Sequence, residues 1–233
     1  MSWKVPRMWE GEDVWIIGGG SSVAEQFEIP YEVVQSVKNR TSPMSVYSDY
    51  MKAIHNKHVI AINVAYKIGD WIDMVFWGDV NFWLWYQNEI CNWLGLKVTC
   101  HHTAANQRWV KFIEKDKEHP WGISTRPDRV SWNTNSGTAA ISVAAWAGAA
   151  RIFLLGFDMN LGVDKKMHFH DVYQRGKIEE EKDVMKWVSV FERQLRGFAF
   201  VKQDAQKMGI EIINVNPKSA ITEFPRVALS NIL

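Results

Sequence analysis

Short apolar runs alternate with segments of helical length throughout this chain, and most of the runs stop at small or polar residues. Asp13 to Gly18 (DVWIIG), His58 to Asn63, Asp73 to Trp77, Leu96 to Cys100, Arg151 to Gly156 and Ile210 to Val215 each have strand length, and a further short strand is expected within Asp128 to Trp132. Their apolar character is continuous rather than alternating, which indicates strands buried on both faces. Strands of this kind, separated by helices, call for a parallel sheet covered on each side. The expected fold class is therefore α/β: a single Rossmann-like, doubly wound, mainly parallel sheet with helices on both faces.

The intervening segments support this. Residues 31 to 57 are polar and include Thr41-Ser-Pro43, which suggests a helical insertion with a loop. Asn81 to Trp93 is an aromatic stretch of helical length. Ser136 to Ala150 is rich in Ala and Gly and apolar on every side, as a buried helix must be. Between Ile178 and Met208 the residues Val184, Trp187, Val188, Phe191, Leu195, Phe198, Val201, Ala205 and Met208 recur at three- and four-residue spacing. That pattern predicts an amphipathic helix, with Gly197 as a point of bending and Gly209 as its C-cap. A short terminal helix is expected after Asn216-Pro217. With no internal repeat and no linker-like stretch, residues 1–233 are read as one α/β domain.

Composition narrows the function classes. The 27 Lys and Arg against 26 Asp and Glu give a net charge of +1, too small for a protein that binds nucleic acid through its overall charge, although nucleic acid stays open as an acceptor. Cys91 and Cys100 form no disulfide framework and show no metal-ligand spacing, so a reducing, cytoplasmic setting is expected. The N-terminus lacks the apolar region of a secretory signal. The most apolar window, Ala139 to Phe157, is broken by Arg151, so no membrane span is expected. The 13 tryptophans suit a core or an interface.

In open parallel sheets, ligands bind beyond the carboxyl ends of the strands. Here those ends carry Gly18, Gly19, Gly20, Ser21 and Ser22, then Asn63, Gly78 and Asp79, Thr134 to Gly137, and Gly156 to Asp158. The glycine turn allows close backbone approach to a phosphate at a helix start. It is neither a Walker A loop nor a dinucleotide fingerprint, since no Gly-Lys follows and Val23 stands at the third glycine position. Asn135, Ser136 and Gly137 open the buried helix and offer a second set of N–H donors. Each turn could equally be a capped helix start and no more. A nucleotide phosphate between the two turns predicts that Gly20→Val blocks binding while leaving the fold intact. Asp79 and Asp158 could bind ribose, hold a metal or cap helices. His168 and His170 fall on one side of an extended segment, and either could act as general base, His170 preferred. His101, His102 and His119 lie in polar segments and read as surface residues.

The order GGGSS, AIN, VFWGD, NSGTAAISVAAWAGAARIFLLGFDM, a histidine, and a last strand ending in NP resembles the bacterial sialyltransferases of glycosyltransferase family 42. It is also similar to the Rossmann-like family containing archaeal 6-hydroxymethyl-dihydropterin diphosphokinases, and closest in texture to phage- and prophage-encoded relatives. The resemblance spans about residues 12–30, 58–85 and 130–225. It implies a nucleotide site in which Gly18, Gly20 and Ser21 form the first turn, Asn63 contacts the nucleotide, and Ser136 and Gly137 form a pair beside it. It places His170, or His168, near the family's catalytic histidine. Three positions depart from the pattern: Gly78-Asp79 replaces an asparagine, Asn133 replaces an arginine, and Ser21 replaces a proline.

The leading expectation is a cytoplasmic glycosyltransferase with a nucleotide-activated sugar as substrate, no permanently bound cofactor, and a histidine base. Residues 160 to 176 would form a lid, with Tyr173 and Arg175 reaching the leaving phosphate. One alternative is a magnesium-dependent diphosphokinase or nucleotidyl-transfer enzyme with Asp79 and Asp158 as metal ligands. Another is a non-catalytic nucleotide-binding or assembly protein. The acceptor is open, and so is a homo-oligomer.

Overall fold

The computed structural model describes residues 2–161, 168–170 and 181–233. In chain order the elements are β1 (Asp13–Ile17), α1 (Ser22–Gln26), α2 (Tyr31–Lys38), β2 (His58–Ile62), β3 (Met74–Trp77), α3 (Val80–Ile90), β4 (Leu96–Thr99), β5 (Lys111–Phe112), β6 (Glu114–Lys115), β7 (Arg129–Val130), α4 (Ser136–Ala147), β8 (Arg151–Leu155), α5 (Glu181–Lys207) and β9 (Glu211–Asn214). Short 3-10 turns at Met44–Tyr50, Lys52–Ile54 and Asn63–Ile68 complete the segments around β2.

Seven strands form one sheet in the order β5-β4-β3-β2-β1-β8-β9, and every pairing is parallel. This is the α/β architecture that the apolar runs predict. Strand residues alternate between faces, so two cores form from one strand. Trp15 and Ile17 of β1 pack with Val23, Phe27, Tyr47 and Phe82 on one side. Val14 and Ile16 pack with Ala140, Ile141, Ala144, Phe198 and Val201 on the other. Trp15 lies opposite Phe153 of β8 in register, and their rings stack at 4.4 Å.

α4 explains its own composition. Asn135 caps it through Gly137 N–H, Gly148 ends it in the left-handed region (φ 102°), and ten of its twelve residues are buried. α5 closes against Gly209, at φ 71°. Gly197 lets α5 pass Asn133 closely: a Cβ there would lie 2.9 Å from the Asn133 Cβ.

Two expectations need correction. The short run within Asp128 to Trp132 supplies β7, which pairs with β6 in a separate two-stranded sheet. The outer strand of the main sheet is instead β5, two residues with no apolar run to announce it. The terminal helix is a single 3-10 turn, Leu229–Asn231.

Candidate functional site

The chain runs outward from β1 to β5 and then returns to the other side of β1 with β8. At such a reversal the loops after neighbouring strands diverge and leave a crevice. A cleft of about 790 Å³ occupies that edge. Its walls are Gly19 and Gly20 after β1, Asn63 after β2, Gly78 and Asp79 after β3, Thr134 to Ser136 before α4, and Gly156 and Asp158 after β8. α5 adds Trp187, Phe191 and Gln194.

The glycine turn is more structural than the sequence suggests. Gly18 N–H donates to Leu155 O (2.7 Å) and Gly20 N–H to Gly156 O (2.9 Å). The N-terminus of α1 is already filled by a carboxylate. Asp158 accepts from Ser22 N–H (3.0 Å), from the Ser22 hydroxyl, and from Asn216 Nδ2 (2.9 Å), with Ser21 Oγ at 3.5 Å. Ser21 and Ser22 therefore serve Asp158, and neither lines the cleft. This also corrects the expectation for Gly20→Val. A Cβ at Gly20 would lie 2.5 Å from the Asp158 carboxylate and 2.6 Å from Gly156 O. Even Gly20→Ala should cost about 1–3 kcal/mol of stability by overpacking. Chemical denaturation would read this, and an unchanged midpoint would remove the close-packing account of the turn.

The other side of the cleft is built differently. Asn63, Thr134 and Met159 line it, and each holds a positive φ (51°, 58° and 50°); Asn133, just before α4, is at 47°. Left-handed backbone is unusual for residues with a Cβ, above all for a β-branched one, and such strain concentrates at functional sites. Among the described residues, Asn63 Oδ1 and Thr134 Oγ1 are also buried with no hydrogen-bond partner. A buried acceptor left unpaired costs about 1–3 kcal/mol, which a ligand donor would recover. Ser136 and Asn135 face the cleft at the start of α4, where the helix dipole favours an anion. Gly137 is buried, its N–H taken by Asn135 Oδ1. Asp79 lines the cleft and also caps α3 by accepting from Asn81 N–H (2.8 Å). Asn133 is wholly engaged with Gly122 and Ser131.

The two histidines separate by depth. His168 lines the cleft, and its Nδ1 lies 3.2 Å from Gly19 O. A carbonyl can only accept, so Nδ1 is the donor in this contact. The His170 ring stacks parallel to that of His168 at 5.1 Å but is buried, 4% exposed, against Phe169. Burial pushes its imidazole well below the ordinary histidine range, and His168, Lys67 and Lys38 push the same way. The order of preference is thus reversed: His168, not His170, faces the cleft. Tyr173, Arg175 and most of the expected lid lie outside the described residues.

His170 has a consequence for acid stability. It is neutral when folded, whereas the unfolded chain takes up a proton near pH 6.5. Its contribution is therefore fully present above that pH and is lost as pH falls toward the lowered folded value, at a slope approaching ~1.4 kcal/mol per pH unit. Denaturation of the parent and of His170→Asn at pH 7 and below 6 should show a steeper loss in the parent. Equal slopes would show that His170 is not buried neutral.

Several cleft residues escape the sequence. His101 is half-buried and lines the cleft rather than sitting on the surface; burial lowers its pKa, as do Lys115 and His102, while Asp79 opposes. His102 and His119 are exposed, as expected. Lys115 and Trp132 reach the cleft from segments with no motif of their own. Trp85 of α3 and Trp187 of α5 also line the cleft. Among the described residues no group of three or more His, Cys, Asp or Glu is placed to hold a metal ion. Among them, too, no helix is long and apolar enough to cross a membrane.

No protein-family model matches the chain, and no curated protein matches it. Solved structures do. The sialyltransferase CstII from Campylobacter jejuni, in complex with the substrate analogue cytidine-5'-monophosphate, is 14% identical, with a TM-score of 0.50 over 94% of this chain and 86% of that one. The MAf glycosyltransferase from Magnetospirillum magneticum AMB-1 is 10% identical, with a TM-score of 0.56 over 98% of this chain and 35% of that one. At these identities the likeness is one of fold. The chain has the α/β fold of these glycosyltransferases.

Proposed function

We propose that the chain is a glycosyltransferase that binds a nucleotide-activated sugar in the cleft at the carboxyl edge of its sheet. The observation that carries this is the pair of buried, unpartnered acceptors, Asn63 Oδ1 and Thr134 Oγ1, on left-handed backbone in one cleft. Such atoms fit the amino and hydroxyl donors of a nucleoside. The fold shared with glycosyltransferases, one of them bound to cytidine-5'-monophosphate, supports the same reading.

The chemistry follows from the walls. The acceptor hydroxyl gives its proton to His168 Nε2 as its oxygen bonds to the anomeric carbon. The bond from that carbon to the phosphate oxygen breaks, and the electron pair leaves with the phosphate. Nδ1 donates to Gly19 O, which orients the imidazole. The start of α4, with Ser136, meets the negative charge that develops on the phosphate. Asp79 and Asp158, the ligands a magnesium-dependent diphosphotransferase would use, are engaged by Asn81 and by Ser22 and Asn216. Among the described residues no group of three or more ligating side chains accompanies them, and that reading is not favoured.

A panel of nucleotide sugars tests the proposal, with release of the nucleoside phosphate as the readout. Slow hydrolysis or transfer with one nucleotide class is expected. Tight nucleotide binding with no turnover of any donor would favour a non-catalytic binding protein.

A further inference from the structure

Among the described residues the charged side chains of the cleft are Asp79, Asp158, Lys115 and Lys186, two of each sign. Both carboxylates are turned to donors within the fold, Asp79 to Asn81 N–H and Asp158 to Ser22 and Asn216. Lys186 is exposed on α5. Lys115 is half-buried, with its Nζ 3.9 Å from the centre of the Trp132 ring and no carboxylate in ion-pair reach among the described residues. An aromatic face orients an ammonium group without neutralising it.

The support beneath that ammonium is built. Trp132 lies over Gly78, where an added Cβ would come within 2.0 Å of the indole, with Cys100 Sγ at 3.1 Å. Any side chain at residue 78 would displace the ring. The glycine after β3, the tryptophan before α4 and the lysine of β6 thus converge from three segments to hold one cation in the wall of the cleft. In a cleft bounded by protein, such a charge attracts an anion more strongly than one on an open surface does.

We propose that Lys115, seated on Trp132, is a specificity-determining cation that binds an oxyanion of the cleft's occupant, either a phosphate of the donor or a carboxylate on its sugar. The identity of that occupant as a nucleotide sugar rests on the function proposed above; the oxyanion site does not. His101 is a natural reporter, because Lys115, His102 and Asp79 are the charged groups that act on it.

NMR titration of the His101 imidazole in the full chain, with inorganic pyrophosphate and with glucuronate as probes, tests this. A bound anion should offset Lys115 and raise the His101 pKa. In Lys115→Met that pKa should start higher and stay fixed as probe is added, with probe affinity weakened roughly tenfold or more. Lys115→Arg should restore both responses, which separates loss of charge from loss of fold. A response to pyrophosphate assigns the site to phosphate, and one to glucuronate assigns it to a sugar acid. No response to either probe in the parent, or an equal response in Lys115→Met, overturns the proposal. A Lys115-dependent response in a protein that binds no nucleoside phosphate would keep this site and discard the nucleotide-sugar function.

Discussion

Asp158→Ala is expected to cost the fold about 3–5 kcal/mol, a large part of the 5–15 kcal/mol that stabilises a typical domain. The carboxylate is buried and ties the start of α1 to the loop after β9 through Ser22 and Asn216. Removing it leaves a backbone N–H, a hydroxyl and an amide without a shared acceptor, each worth about 1–3 kcal/mol when buried. Asp158→Asn keeps the shape and one carbonyl oxygen, and should cost less. Urea denaturation measures the difference, provided the m-value is unchanged. A loss below about 1 kcal/mol would return Asp158 to the list of ligand-binding candidates.

The second large effect is catalytic. His168→Ala should lower kcat by roughly 10²–10⁴-fold, with nucleotide affinity nearly unchanged. His168 lines the cleft with Nδ1 turned to Gly19 O, whereas His170 is buried behind Phe169 and held neutral. His170→Ala should instead lower stability and leave the kcat of the folded fraction within a few-fold of the parent. Turnover by His168→Ala close to the parent value would remove His168 as the base.

These two contrasts show where the sequence was informative. Strands β1, β2, β3, β4, β8 and β9 were legible because burial on both faces demands an unbroken apolar run. β5 was not, since two residues carry no pattern, and the short run of β7 did not show that it pairs with β6 outside the main sheet. The strand ends pointed to the edge that carries the cleft. The sequence could not separate a glycine needed by a ligand from one needed by backbone far along the chain. Gly20 approaches Gly156 and Asp158, and nothing local says so. The alternation of His168 and His170 correctly placed their rings side by side, yet their depth depends on neighbours such as Phe169 and Tyr47. Lys115, Trp132 and Gly78 come from three segments and meet only in the fold.

In the function proposed here, Asn63 and Thr134 bind the nucleotide. Thermal unfolding in the presence of cytidine, uridine, guanosine and adenosine mono- and diphosphates tests it directly. One base should stabilise the parent by ~2.7 kcal/mol at a hundred times its Kd. Asn63→Ala should weaken that nucleotide by ~1–3 kcal/mol, because the acceptor it satisfies is gone. A parent that no nucleotide stabilises, or an Asn63→Ala variant that binds as tightly as the parent, would contradict the account.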